Sequence, residues 1–188
     1  AASGERPLAA LGKSGVEYVE VRCVDLDPFE PIGINSEQIR FLDTFLLLCL
    51  LTESPTDSRE ESARMVRNQT AVVERGRQPG LVLERDTESV DLRQWATELL
   101  DQCTYIAEVL DRHAANNFYS QTLAAQKAKV KDPESTPSAK VIAALNEGSS
   151  FFDFTMQNAE QHAEFFANRT GNTCLLYTSP SPRDFQVS

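Results

Sequence analysis

Leu92, Trp95, Leu99, Cys103, Ile106, Leu110 and His113 step along the chain by threes and fours. That spacing lays them on one side of a helix of about six turns. Such a stripe must be buried against other elements, so the fold class depends on what the rest of the chain offers as partners.

Mostly it offers more helices. Asn35 is a candidate N-cap with Gln38 three residues on, and Ile39, Leu42, Phe45, Leu46 and Cys49 follow at helical intervals, predicting a helix over 36–52. The break at 54–58 leads to a more polar helix over 59–75, stopped by Gly76 and a turn at 77–80. After the long stripe, placed from Ser89, Asn116-Asn117 interrupts the pattern, and a less amphipathic helix carries Lys127, Lys129 and Lys131 on a solvated face. Thr136 as N-cap, Pro137 at the first helical position and Gly148 beyond the end bracket a short helix through Leu145. Phe151, Phe152, Phe154, Met156, Phe165 and Phe166 make an aromatic-rich helix to about residue 168, which core packing explains.

One segment differs. Residues 16–23 alternate with a period of two, so in a strand Val19, Val21 and Cys23 share one face while Tyr18, Glu20 and Arg22 share the other. Pro28, Pro31 and Gly33 then stop both strand pairing and helix growth, making 25–33 a loop. The expected architecture is mainly α: one short strand, a proline-bounded loop and five or six antiparallel helices.

Composition narrows the function. Asp and Glu number 28 against 18 Lys and Arg, a formal charge of −10 that repels nucleic-acid phosphates and anionic lipid, so neither nucleic acid nor membrane is an expected partner. The longest apolar run, Phe45 to Leu51, is far shorter than the about 20 residues a membrane helix needs. No secretory signal opens the sequence, which gives a cytoplasmic expectation. Cys23, Cys49, Cys103 and Cys174 lack zinc-site spacing and read as reduced thiols, Cys49 and Cys103 within apolar stripes. His113 and His162 each lack a ligating neighbour one helical turn away. Asn68-Gln69-Thr70 fits a glycosylation acceptor but carries no weight in a cytosolic chain.

Chemistry has one candidate home. In an extended chain Glu20 and Arg22 project from the same surface about 7 Å apart along it, so they can address one ligand together. A carboxylate can hold Mg2+, and a guanidinium can receive phosphate or carboxylate oxygens in a forked geometry. By spacing alone, an ordinary ion pair on a solvent-facing strand is the other reading. Asp25 and Asp27, flanking the Pro-Phe turn, read as caps of backbone N–H groups.

The run from Gly15 through Phe29, continued by Pro31-Ile32-Gly33-Ile34, closely resembles the bacterial glutamate-cysteine ligase family. Arg40-Phe41-Leu42-Asp43, Asn68, Gly76-Arg77-Gln78-Pro79-Gly80-Leu81 and Ser138-Ala139-Lys140-Val141 resemble further family positions in the same order. The resemblance spans about residues 4–168 and implies the C-terminal part of such an enzyme. Residues 1–34 would be the edge of its α+β catalytic domain and 35–170 a helical C-terminal region. The implied reaction joins the gamma-carboxylate of glutamate to the amine of cysteine through an acyl phosphate made from ATP. In that scheme Glu20 is a metal ligand, holding Mg2+ at the nucleotide site. Arg22 is catalytic and substrate-binding, meeting either the transferring phosphoryl group or a substrate carboxylate.

The resemblance also implies that most of the catalytic sheet, further metal carboxylates and the cysteine pocket lie outside this chain, in a missing N-terminal part, leaving it inactive alone. The stretch from Cys174 to Asp184 resembles translated sequencing-adapter read-through, so 171–188 is set apart from the fold. Two other classes stand beside this reading: a non-enzymatic helical interaction module, and a carboxylate-amine ligase with another amine substrate.

Overall fold

The computed structural model describes residues 6–22, 24–54, 56, 58–146 and 148–169. Seen in chain order, the elements are α1 (Pro7–Ser14), α2 (Ser36–Leu51), α3 (Arg59–Arg75), β1 (Val82–Arg85), β2 (Glu88–Asp91), α4 (Leu92–Ala114), α5 (Phe118–Lys131), a 3-10 turn (Pro133–Ser135), α6 (Pro137–Asn146) and α7 (Phe151–Ala167). The mainly helical expectation holds, and α2, α3, α5, α6 and α7 fall where their caps and periodicity put them.

Local chemistry explains the boundaries. At the start of α2, Asn35 Oδ1 accepts from Gln38 N at 2.9 Å while Asn35 N donates to Gln38 Oε1 at 2.7 Å, the reciprocal capping box. Ser58 caps α3 by accepting from Glu61 N, and Asp91 caps α4 by accepting from Arg93 N and Gln94 N. Between α4 and α5 the chain reverses over residues 115–117, with Ala115 in the left-handed region at φ 52°.

The main core lies between α2, α4 and α5. Leu48, Leu100, Cys103, Ile106, Ala107 and Leu123 are buried together, with Phe41, Phe45 and Leu110 packed at the margin. Here the long stripe of α4 finds its partners. A smaller cluster of Leu81, Leu83 and Val90 packs with Ala71, Leu92 and Trp95, seating a β-hairpin against α3 and the start of α4. The hairpin pairs Leu83 with Val90 and Arg85 with Glu88 in antiparallel register. Asn68 fastens it: its Nδ2 donates to Glu84 O at 2.7 Å and its Oδ1 accepts from Glu84 N at 2.9 Å. That amide is a structural clamp, which agrees with giving its glycosylation motif no weight.

Four expectations need correction. Residues 15–22 are not a strand, because a strand is defined by its ladder and no neighbour among the described residues supplies one; Cys23 lies outside the described residues. The chain's strands are instead 82–85 and 88–91, so α4 begins at Leu92 rather than Ser89. The aromatic helix α7 buries only Phe154; Phe151 and Phe152 are 67% and 70% exposed, and Phe165 and Phe166 also face outward. Cys49 sits on the exposed side of α2, whereas Cys103 is buried as expected. The segment 171–188 and Cys174 lie outside the described residues. Among the described residues, no helix is long and apolar enough to cross a membrane.

Candidate functional site

The proline-bounded loop that follows Glu20 and Arg22 in the chain has a defined geometry of its own. Asp27 N donates to Gly33 O at 2.8 Å and Asp27 Oδ1 accepts from Phe29 N at 3.0 Å, so the loop closes on itself and Asp27 takes the capping role its sequence context implied. Gly33 adopts φ 75°, a backbone conformation that L side chains rarely take, so a side chain is disfavoured there. Glu30 Oε1 accepts from Asn35 Nδ2 at 2.9 Å, tying the loop to the cap of α2. Phe29 meets the buried Phe154 of α7 edge-on, with ring centroids 5.8 Å apart. These contacts tie the loop to the start of α2 and to α7.

On the segment 15–22 Glu20 and Arg22 emerge on one side, as the period of two requires, and they touch. Arg22 Nε donates to Glu20 Oε2 at 2.7 Å, and Arg22 Nη2 bonds the same oxygen. The side chains are 50% and 81% exposed. Glu20 Oε1 and the remaining guanidinium donors are therefore accessible to a ligand.

The surroundings are exposed and largely apolar. Val16, Tyr18 and Val19 are 70%, 74% and 64% exposed, and Leu26 and Ile32 of the loop are also uncovered. So much exposed apolar surface beside an ion pair marks an interaction site.

Metal-binding chemistry is only partly present. Among the described residues no three His, Cys, Asp or Glu side chains converge to hold a metal ion. Glu20 can serve as one of the one or two carboxylates that Mg2+ takes alongside phosphate oxygens, and the other protein ligands would have to come from outside the described residues. Asp25 is exposed, and His113 and His162 do not join the pair.

Comparison with known proteins decides the family. A family profile described as "Glutamate-cysteine ligase" matches residues 1–72, which include Glu20 and Arg22. A glutamate–cysteine ligase of Pseudomonas fluorescens is 45% identical over 169 residues, covering 89% of this chain and 32% of its own length. The chain belongs to the glutamate–cysteine ligase family. A Pseudomonas entomophila ligase agrees, at 47% identity over 165 residues, 87% of this chain and 31% of its own.

The fold agrees as well. A Francisella tularensis glutamate–cysteine ligase, solved in complex with AMP, superposes with a TM-score of 0.80 at 32% identity, covering 95% of this chain and 35% of its own. The chain thus spans about a third of the length of the ligases it matches.

Other positions that resembled the family have structural work. Arg40 lies over the Phe118 ring at 4.8 Å, Asn68 clamps β1, and Arg77 Nη1 donates to Glu134 Oε1 at 3.4 Å. Sequence reading passed over one feature. A cavity of about 380 Å3 opens between α2, α4 and α5, lined by apolar side chains and by Arg77, Arg93 and Lys129. Lys127, grouped with Lys129 as a solvated lysine, instead donates to Asp101 Oδ1 at 2.6 Å. The lysine spacing was visible in the sequence; the apolar walls, drawn from distant helices, were not.

Proposed function

We propose that this chain is the C-terminal part of an ATP-dependent ligase that joins the gamma-carboxylate of glutamate to the amine of cysteine, and that it contributes one edge of the active site. Residues 1–34 form that edge and 35–170 the helical region that supports it, with 171–188 foreign to the fold. The observation that carries this reading is the Glu20–Arg22 pair, displayed on an unpaired extended segment with exposed apolar flanks, inside the stretch that the family profile matches.

ATP transfers its terminal phosphoryl group to the glutamate gamma-carboxylate, and the cysteine amine then displaces phosphate from the acyl phosphate, losing a proton as the amide forms. Both steps concentrate negative charge on oxygens that must be held in line. A bound Mg2+ would supply charge neutralisation and a template for the phosphates. Glu20 would hold that ion through its accessible oxygen, and Arg22 would turn from Glu20 to meet developing negative charge on the phosphoryl group or a substrate carboxylate. The rest of the enzyme completes the site, covers Val16, Tyr18 and Val19, and works in the cytoplasm. Alone, the 188-residue chain forms no gamma-glutamylcysteine.

The test is a chimera in which this chain replaces the corresponding third of the Pseudomonas fluorescens ligase. Glu20→Gln should lower kcat at least about a hundredfold and weaken Mg2+-dependent nucleotide binding, while the circular dichroism spectrum stays unchanged. Arg22→Lys should lower kcat less than Arg22→Ala, because it keeps charge without the fork. Unchanged turnover in Glu20→Gln would return the pair to an ordinary surface ion pair, whereas a folded chimera with no turnover at all would favour a non-enzymatic helical module.

A further inference from the structure

We propose that the cleft between α2, α4 and α5 is a binding site for an amphipathic carboxylate, its aliphatic body on the apolar floor and its head group at Arg93 and Lys129. The cleft holds about 380 Å3, within the usual range for small-ligand pockets. Phe41 and Phe45 from α2, Leu99 and Leu100 from α4 and Val130 from α5 make the floor. Gaps between packed helices in a well-formed core are normally closed by side chains, and this one is left open and apolar.

Charge at the mouth selects the ligand. The chain as a whole carries 28 acidic against 18 basic residues, yet among the described residues the cleft is lined by Arg77, Arg93 and Lys129 and by no carboxylate. Arg77 is engaged by Glu134 at 3.4 Å. Arg93 and Lys129 are half-buried and have no ion pair among the described residues, whereas Arg22, Arg64, Arg67 and Arg85 each have a carboxylate within 4 Å. An anionic head group in the cleft would give these cations the counter-ion that the described residues do not supply. Arg93 and Val130 also border a groove shared with Lys131 and with Lys127, whose charge Asp101 offsets. A neutral lipid would waste these cations, and an organic cation would be repelled by them.

The proposal does not depend on the ligase reading, because its readout is binding by the 188-residue chain. Sodium decanoate, kept below its micelle concentration, is titrated while methyl resonances of Leu99, Leu100 and Val130 are followed by NMR, with 1-decanol and decyltrimethylammonium as matched probes. Decanoate should shift those methyls and bind at least about tenfold more tightly than either control. Arg93→Gln and Lys129→Gln should each reduce that preference, and Arg93→Lys should keep most of it. The proposal is overturned if the cation binds as well as the acid, if the charge-removing variants leave decanoate affinity unchanged, or if the shifts fall on the exposed phenylalanines of α7.

Discussion

Removing the carboxylate of Asp111 should loosen the joint on which the main core depends. Asp111 is near the end of α4 and only 7% exposed, and it caps the next helix rather than its own. Its Oδ1 accepts from Tyr119 N at 2.8 Å and its Oδ2 from Ser120 N at 3.0 Å. Those are N–H groups of the first turn of α5, which have no carbonyl partner within the helix, and Asn117 at the N-cap makes no side-chain bond to them. Asp111→Ala therefore strands two backbone donors and removes a negative charge from a helix N-terminus. Together these losses should cost about 2–3 kcal/mol.

Urea unfolding followed by far-ultraviolet circular dichroism would read this as a fall in midpoint of about 1–1.5 M, given an m value of about 2 kcal/mol/M. Asp111→Asn keeps one acceptor oxygen and should lose about half as much. The pH dependence has a definite sign. Burial pushes the Asp111 carboxyl up, but hydrogen bonds from the Ser120 side chain and from the backbone of Ser120 and Tyr119 outweigh it, and the group sits below the usual Asp range. The folded chain therefore holds its proton less tightly than the unfolded one. The stabilisation is complete above about pH 5 and drains away as the pH falls through the folded value. Asp111→Asn should flatten that acid limb. Equal midpoints for wild type and Asp111→Ala, or an acid limb that survives in Asp111→Asn, would refute the reasoning.

Two further substitutions test the supporting structure. Asn68→Ala breaks the two-bond clamp on Glu84 and should cost about 1–2 kcal/mol, seen as faster amide exchange in residues 82–91 while the α4–α5 core stays protected; uniform exchange would show that the hairpin is held by its apolar cluster alone. Thr122→Val removes a hydroxyl that is buried without a hydrogen-bond partner among the described residues, so it should leave stability unchanged or raise it by up to about 1 kcal/mol in a thermal melt, and a clear loss would mean that the hydroxyl has a partner in solution.

The pair at the candidate site was legible because a two-residue spacing needs only an extended backbone: Glu20 and Arg22 were expected on one surface and are found hydrogen-bonded there. What that pair addresses was not legible in the spacing, since a surface ion pair and half of a metal site share one pattern. The cleft was invisible for another reason. Its floor joins Phe41 and Phe45 to Val130, nearly ninety positions apart, and no local pattern records such a meeting. The hairpin was missed because its two-residue turn, Asp86-Thr87, lacks the Asn-Gly or Asp-Gly signal, although Asp86 takes the positive φ of 52° that such turns demand.

By itself the sequence determined helices α2, α3, α5, α6 and α7 and the stripe of α4, because caps, stops and stripes act within a few residues of one another, as Asn35 with Gln38 shows. It also held the family in the run through Glu20 and Arg22. Tertiary structure alone decided which apolar faces are covered. The α4 stripe is buried because α2 and α5 reach it, the phenylalanines of α7 stay largely exposed because among the described residues little beyond Phe29 and α6 packs on that helix, and residues 15–22 remain unpaired because a strand needs a neighbour that no alternation of side chains can supply.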